Sequence, residues 1–269
     1  MCRLYGFQAS EPTKVECTLV HAQNALMRQS RSDLAGYKHA HGWGVAAYED
    51  GLPRIERQAW AAYHGEHFKR AAARVFARTV LAHVRRATVG EPGLENTHPF
   101  SDGRWSFIHN GTVPAFDRIK EKMLEETGPE HRARISGVTD SEHLFQLFLT
   151  RLEKTPTRDR GDILADMLET VVGWSEGAKT SEKLGLSVIV TNGQEVVATR
   201  WGRGLYHVRR DGVYDCEICG FPHVRHRTGA DYHAVVIASE PITHENWTEI
   251  PERSIVQVSS GVDLSLRSF

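Results

Sequence analysis

The sequence predicts an α+β fold in which sheets pack on one another and helices lie outside. Three observations carry this. Strand-like and helix-like segments are mixed up to about residue 112, helical segments cluster between 115 and 174, and strand-like segments follow. That order lacks the regular βαβ alternation of a doubly wound parallel sheet and suits layered α+β architecture. Asp50-Gly51 and Asn192-Gly193 each lie between strand-like runs, a strong hairpin signal. Thr13 with Glu16 and Thr139 with Glu142 form the Thr-x-x-Glu pattern that opens helices.

In chain order, residues 3–9 alternate as a strand and include Tyr5 and Phe7. After Thr13 and Glu16, the apolar Val15, Leu19, Val20 and Leu26 recur at helical spacing. Residues 43–49 and 54–60 read as a hairpin, and the Ala- and Arg-rich stretch 65–77 as a helix. Thr79–Arg86 reads as a buried strand and Arg104–Ile108 as another. Helices are expected over 115–126, 140–153 and 160–174, with the polar stretch 154–162 as a loop. Leu186–Thr191, Glu195–Arg200, Leu205–Arg209, His233–Ala238 and Ser254–Val258 complete the strands. With no repeat and no low-complexity linker, one domain is expected over 2–269, in which residues 151–269 complete the motif-bearing segment 2–150.

Lys and Arg number 33 against 34 Asp and Glu, a formal net charge of -1. Without a basic excess, nucleic acid is not an expected partner. No apolar run approaches the ~20 residues of a membrane span. The N-terminus lacks the charged-then-apolar pattern of a signal peptide, so a cytosolic location is expected. There, four cysteines stay reduced, and each calls for a chemical or packing role.

Cys2 directly follows the initiator Met, and a small second residue is what processing aminopeptidases accept. Removal of Met1 would put a free α-amine, with a pKa of about 7.7–8.0, on the same residue as a thiol. Such an amine can take the thiol proton and return it to a leaving amine. Taken alone, a cysteine at this position also reads as a small residue of no consequence. Three later segments supply what an amidase site needs. They are Ala82-His83-Val84-Arg85-Arg86-Ala87-Thr88-Val89-Gly90, Phe107-Ile108-His109-Asn110-Gly111-Thr112 and Gly137-Val138-Thr139-Asp140-Ser141-Glu142. Singly, Arg85 reads as a surface cation, Asn110-Gly111 as a turn and Asp140 as a helix-start acid.

Together with Cys2, in this order, they resemble the class II glutamine amidotransferases. That family's pattern is Cys at the mature N-terminus, then Arg-x-Ala-Thr-x-Gly, His-Asn-Gly and Thr-Asp-(Ser/Thr)-Glu. His41–Gly44, Glu95–Phe100 and Ala238–Thr243 extend the likeness to its stand-alone γ-glutamyl amidohydrolase branch. The resemblance implies the four-layer αββα sandwich of N-terminal-nucleophile hydrolases. It implies Cys2 as nucleophile, with the Asn110 side-chain amide and the Gly111 N–H as oxyanion donors. It further implies Arg85 on the substrate α-carboxylate, Asp140 on its α-ammonium, and Thr88 and His98 lining the pocket. The reaction so implied passes through a Cys2 thioester and needs no metal or organic cofactor. Arg86 departs from the family, whose ammonia-channelling members commonly carry Trp there. Since neighbours on a strand face opposite ways, only one of Arg85 and Arg86 can face the pocket, and the motif selects Arg85. Trp43 reads either as a pocket-rim residue or as a core tryptophan between two glycines.

Cys17 reads as helix packing. Cys216-x-x-Cys219 followed by His223 and His226 offers a Cys₂His₂ zinc set, although the two histidines are closer than the usual His-x₃₋₅-His. The same segment also reads as a Gly/Pro loop whose thiols bind nothing, and no metal is assigned from it. The leading functional expectation is hydrolysis of glutamine or a γ-glutamyl amide. The alternatives are a glutaminase feeding ammonia to a separate synthase partner, and an inactive binding or scaffold protein of the same fold. A homo-oligomer is compatible with all three, and no membrane partner is expected.

Overall fold

A computed structural model describes residues 2–177, 180–224 and 232–269. The chain runs β1 (Arg3–Lys14), a π-helical turn (Cys17–His21), α1 (Leu26–Arg31), β2 (Trp43–Glu49), β3 (Leu52–Gln58), α2 (His67–Arg74) and β4 (Phe76–Val84). Then come β5 (Phe100–Asp102), β6 (Trp105–Thr112), α3 (Phe116–Glu126), α4 (Pro129–Arg132), α5 (Asp140–Lys154) and α6 (Arg160–Glu176). The remainder is β7 (Gly185–Thr191), β8 (Val196–Arg200), β9 (Tyr206–Asp211), β10 (His233–Ala238), β11 (Thr248–Glu249), β12 (Ser254–Val258) and β13 (Leu264–Ser268).

These strands form two antiparallel sheets, ordered β11-β9-β10-β1-β4-β2-β3 and β13-β12-β8-β7-β6-β5. Alternation along each strand divides its side chains between two cores. Leu4, Leu81, Ile108, Ile189 and Ile237 meet in the layer between the sheets. Tyr5, Phe7, Val80 and Val236 turn to the other face of the first sheet, against Leu19, Leu26 and Phe68. Phe107, Val188 and Val190 turn outward from the second sheet onto Phe145, Phe148, Leu164 and Leu168. The order helices, sheet, sheet, helices is the expected four-layer sandwich. Gly6 faces the inter-sheet layer, where an added Cβ would press on Ile189 at 3.2 Å. No helix among the described residues is long and apolar enough to cross a membrane.

The Asp50-Gly51 hairpin forms as expected, with φ of 51° and 79° at its two residues. Asn192 closes the other hairpin by accepting the N–H groups of Gln194 and Glu195. The Thr13 expectation is overturned. Thr13 belongs to β1, paired with Ala77, and its hydroxyl donates to the Glu11 carbonyl instead of capping a helix. The ladder with β4 resumes there after a register shift, and this pairing outweighs a local cap whose helix amounts to one π-helical turn. Thr139 does cap α5, accepting from Glu142 N at 3.3 Å. Glu142 reaches past it to the N–H groups of Ser136 and Gly137, at 3.0 and 2.7 Å, fixing the loop that precedes the helix.

Candidate active site

Every motif residue lies at one end of the two sheets or in the loops beside it. Cys2 precedes β1 and Arg85 follows β4, and the antiparallel register Arg3↔Val84 sets them side by side. Cys2 is buried, and its Sγ donates to the Arg86 carbonyl at 3.6 Å. Burial pushes its thiol pKa up; the nearby Arg85 cation pulls it down and the Asp140 carboxylate pushes it up. The nucleophile candidate thus feels both charges that the motifs were expected to place around a substrate.

The Cys2 main chain is anchored by residues that the sequence did not single out. Arg3 Nη1 donates to the Cys2 carbonyl at 2.9 Å. Arg3 Nη2 pairs with Asp33 and, at 2.9 Å, with Glu240, all of them buried. His39 Nε2 donates to Asp33 at 2.9 Å, and Asp33 also accepts the Ala35 and Tyr37 N–H groups. This buried cation lies between two carboxylates and is hydrogen-bonded through both terminal nitrogens, while its Nε has no partner among the described residues; pairing of this kind is the condition under which buried charge is tolerated. The signals available were Arg3 beside the cysteine and Glu240 inside the Ala-Ser-x-Pro segment.

Arg85 is buried, as a specific role requires and a surface cation does not. Its Nη2 donates to the Val89 and Gly90 carbonyls, at 2.8 and 2.9 Å, and its Nη1 to the Glu91 carbonyl at 3.1 Å. Three of its five donors therefore hold the 89–91 loop, and the fork is less open than expected for a carboxylate. Arg86 points elsewhere, its guanidinium 4.1 Å from the centre of the Tyr37 ring. Asp140 opens α5, accepts Val113 N and Ser141 N at 2.8 Å each, and is buried. Its charge reaches both Arg85 and Cys2.

Asn110 and Gly111 lie inside β6, paired with Ser187 and Leu186 of β7, so they are not a turn. Gly111 adopts φ 153°, and a Cβ there would stand 1.9 Å from the Gly185 carbonyl oxygen. Only glycine fits. Asn110 Nδ2 reaches Ser239 Oγ at 3.4 Å, while Oδ1 is buried without a partner among the described residues. His109 bonds Ser141 Oγ and the Gly185 carbonyl, each at 2.8 Å, and links β6 to α5.

Thr88 is exposed and accepts from Thr112 Oγ1 at 3.2 Å, on the rim beyond β6. His98 is buried, its ring 4.1 Å from that of His83 and 4.6 Å from Phe100. Burial lowers the pKa of His83, His98 and His109 alike, so these rings stay neutral. His98 thus sits in a buried stack against His83 of β4. Trp43 is a core residue: 1% exposed and edge-on to Phe68 at 5.2 Å. Its rim alternative falls, because the alternation of β2 turns it toward α2. Gly44, facing the opposite way, lets the His98 carbonyl approach to where a Cβ would stand 2.2 Å away.

Beyond the far end of β1, Cys216, Cys219 and His223 come together with Cys17. Cys17 is buried, as expected, and its sulfur also lies near these three ligand atoms. The fourth ligand considered from sequence, His226, lies outside the described residues.

The family model of the class II glutamine amidotransferases matches residues 1–268. The chain belongs to the class II glutamine amidotransferases. Among curated members, a probable glutamine amidotransferase of Saccharomyces cerevisiae is 29% identical over 96% of this chain and 82% of its own length. The γ-glutamyl-hercynylcysteine sulfoxide hydrolase of Mycobacterium tuberculosis is 28% identical over 98% of this chain and 96% of its own. Among solved structures, a glutamine aminotransferase class-II domain protein of Silicibacter pomeroyi superposes with a TM-score of 0.68 at 21% identity, covering 100% of this chain and 99% of that one. The glutamine phosphoribosylpyrophosphate amidotransferase of B. subtilis superposes with a TM-score of 0.63 at 14% identity, covering 99% of this chain and 49% of that one. As a class II glutamine amidotransferase the chain is an amide-hydrolysing enzyme, and the sandwich is the family's fold.

Proposed function

We propose that this amidotransferase hydrolyses a γ-glutamyl amide through Cys2, which becomes the first residue once Met1 is removed. The juxtaposition of a buried Cys2 thiol with Arg85 and Asp140 carries the reading. The substrate's zwitterionic head docks with its carboxylate toward Arg85 and its ammonium on Asp140. For Arg85 to accept the carboxylate, the 89–91 loop yields some of the guanidinium donors. Cys2 Sγ attacks the γ-glutamyl carbonyl carbon, and its proton passes to the Cys2 α-amine. The tetrahedral oxyanion lies against Asn110 Nδ2 and Gly111 N–H. The carbon–nitrogen bond breaks, the α-amine protonates the departing amine, and a thioester remains. Water, deprotonated by the same amine, then releases glutamate and restores the thiol.

Ser239 acts as a positioning residue. Its Oγ accepts the Leu4 N–H at 2.9 Å, which leaves its own proton free to donate. With the Asn110 amide oxygen turned to Ser239, the orphaned Oδ1 gains a donor and Nδ2 faces the oxyanion. Thr88 borders the entry, and His98 packs on His83 of the strand that leads to Arg85.

A larger amine, rather than ammonia, is the proposed leaving group. The M. tuberculosis relative of matching length is named for a γ-glutamyl substrate. Residues 185–268 supply strands to both sheets of the same sandwich. Residues 2–269 act as one domain, in the cytosol, without a metal or organic cofactor in the reaction. The test combines intact mass with turnover. After incubation with a diazo-ketone glutamine analogue, the mass should show loss of Met1 and one adduct. Isolated enzyme should release glutamate from γ-glutamyl peptides faster than from glutamine. A retained Met1, or an adduct that persists in Cys2→Ala, would refute the nucleophile assignment. Turnover confined to glutamine and dependent on an added synthase would instead favour the ammonia-supplying alternative.

A further inference from the structure

We propose that Cys17, Cys216, Cys219 and His223 form a structural zinc site that fastens the 212–224 loop to the π-helical turn after β1. The three sulfurs and one imidazole nitrogen lie within 4.8 Å of one another. In a tetrahedral site with zinc–sulfur bonds of about 2.3 Å, neighbouring ligand atoms stand about 3.5–3.8 Å apart. Cys219 Sγ and His223 Nε2 are already at 3.4 Å. The remaining ligand atoms need to close by at most about an ångström. The ligands come from two segments far apart in sequence, so this convergence is a property of the fold and not of a local Cys-x-x-Cys.

The loop around the thiols is shaped for metal. Ile218 N–H points at Cys216 Sγ from 3.4 Å, and an amide aimed at sulfur favours the thiolate. Gly220 N–H bonds the Cys216 carbonyl at 2.8 Å and adopts φ 75°, so the chain turns sharply just after Cys219. Lys14 N–H bonds the His223 carbonyl at 3.0 Å, bringing the imidazole to the end of β1.

This loop also lacks a core of its own. Val213 and Val224 pack on the core at its two ends, but Tyr214 and Phe221 between them are 70% and 66% exposed, so apolar burial does little to fix the stretch that carries the thiols. A cleft of about 900 Å³ opens beside the cluster and gives an ion a way in. Soft thiolate and imidazole donors in a tetrahedral set select zinc among the common divalent cations. Four protein ligands close the coordination sphere, so the ion is structural. It releases thiol protons to solvent on binding and takes no part at Cys2, beyond the opposite end of β1.

The test uses the full chain, purified reduced, equilibrated with zinc and freed of excess ion. Elemental analysis should find about one zinc per chain. Cobalt substitution should give the intense visible bands of a tetrahedral ion and a near-ultraviolet thiolate-to-cobalt transition. Cys219→Ser and His223→Gln should each hold zinc on the order of tenfold or more weakly. Cys2→Ser should keep it fully, which separates this proposal from the fate of the nucleophile. Cys219→Ser should retain its turnover while melting at a lower temperature. Absence of zinc from the reduced wild type, an octahedral cobalt spectrum without a sulfur transition, or full zinc retention in Cys219→Ser would each overturn the proposal. The cobalt spectrum is read on wild type, so a misfolded variant would not blunt the test.

Discussion

Substituting Asn110 by Ala separates catalysis from folding at this site. The side chain is buried, but its described bonding is slight: one contact to Ser239 at 3.4 Å, and an Oδ1 without a partner. Ser239 Oγ keeps the Leu4 N–H in the variant. Truncation thus removes one weak hydrogen bond and a few atoms of packing, a stability cost on the order of 1–2 kcal/mol. The catalytic cost is larger. Losing one of two oxyanion donors lowers kcat about 10²–10³-fold, equivalent to about 2.7–4 kcal/mol of barrier. The negative oxygen exists only in the tetrahedral species, so KM should stay within about threefold. Glutamate release from a γ-glutamyl amide measures both parameters, and a thermal melt of the same preparation checks the fold. Ser239→Ala should cost roughly tenfold in kcat, and the double variant should be no worse than Asn110→Ala, because Ser239 acts through that amide. A kcat loss below tenfold, or a loss carried wholly by KM, would refute the oxyanion assignment.

Arg85→Lys keeps the charge but loses the planar fork, so KM should rise on the order of 10–10²-fold with most of kcat retained. An unchanged KM would remove Arg85 from substrate binding. Gly111→Ala should be recovered unfolded or destabilised by several kcal/mol in denaturant titration, because its Cβ would collide with the Gly185 backbone at a φ of 153°. A well-folded, active variant would contradict the described backbone. Acid should destabilise the fold through its buried imidazoles. Burial, aided by Arg3, pushes His39 down to about 4, and burial also lowers His83, His98, His109 and His143. Between about pH 4 and 6.5 the unfolded chain binds more protons at His39 than the native one, so stability rises with pH there and is lost as pH falls. His39 alone accounts for about 2 kcal/mol between pH 7 and 5. Guanidinium midpoints at the two pH values should differ accordingly, and His39→Gln should flatten the slope. A midpoint that rises on acidification would show the imidazoles to be charged in the fold.

The sequence signals that held are those written in local chemistry. Asp50-Gly51 makes its hairpin because both residues tolerate positive φ, and Thr139 caps α5 because its hydroxyl meets Glu142 N. Thr13 failed for a non-local reason, the resumption of the β4 ladder at Ala77. The short edge strands β5 and β11, of three and two residues, are too short to show a period. At the site, the order of four motifs named Cys2, Arg85, Asn110, Gly111 and Asp140. Nothing in that order announces that Asp33 and Glu240 share Arg3, since the ion cluster joins segments from opposite ends of the chain. Cys17 was opaque for the same reason: its sulfur meets Cys216 and Cys219 only once β1 and the 212–224 loop are in place.

The charges around Cys2 bear on how a buried thiol can act at all. Burial holds the thiol protonated, while Arg85 and Asp140 pull its pKa in opposite directions. In the proposed binding mode, the substrate's carboxylate neutralises the first and its ammonium the second. The two influences then fade together, and substrate binding does not itself leave a thiolate. Burial dominates what remains, so the proton must leave as the sulfur attacks. A base fixed beside the thiol is therefore required at the moment of reaction. Neither His83 nor His98 qualifies, since each is a buried ring whose affinity for a proton is already depressed. In the proposed mature chain, with Met1 removed, the α-amine of Cys2 would be covalently placed for the task. The Arg3 bond to the Cys2 carbonyl fixes the main chain from which both amine and sulfur project. Held in this way, proximity replaces the acidity that a buried cysteine lacks.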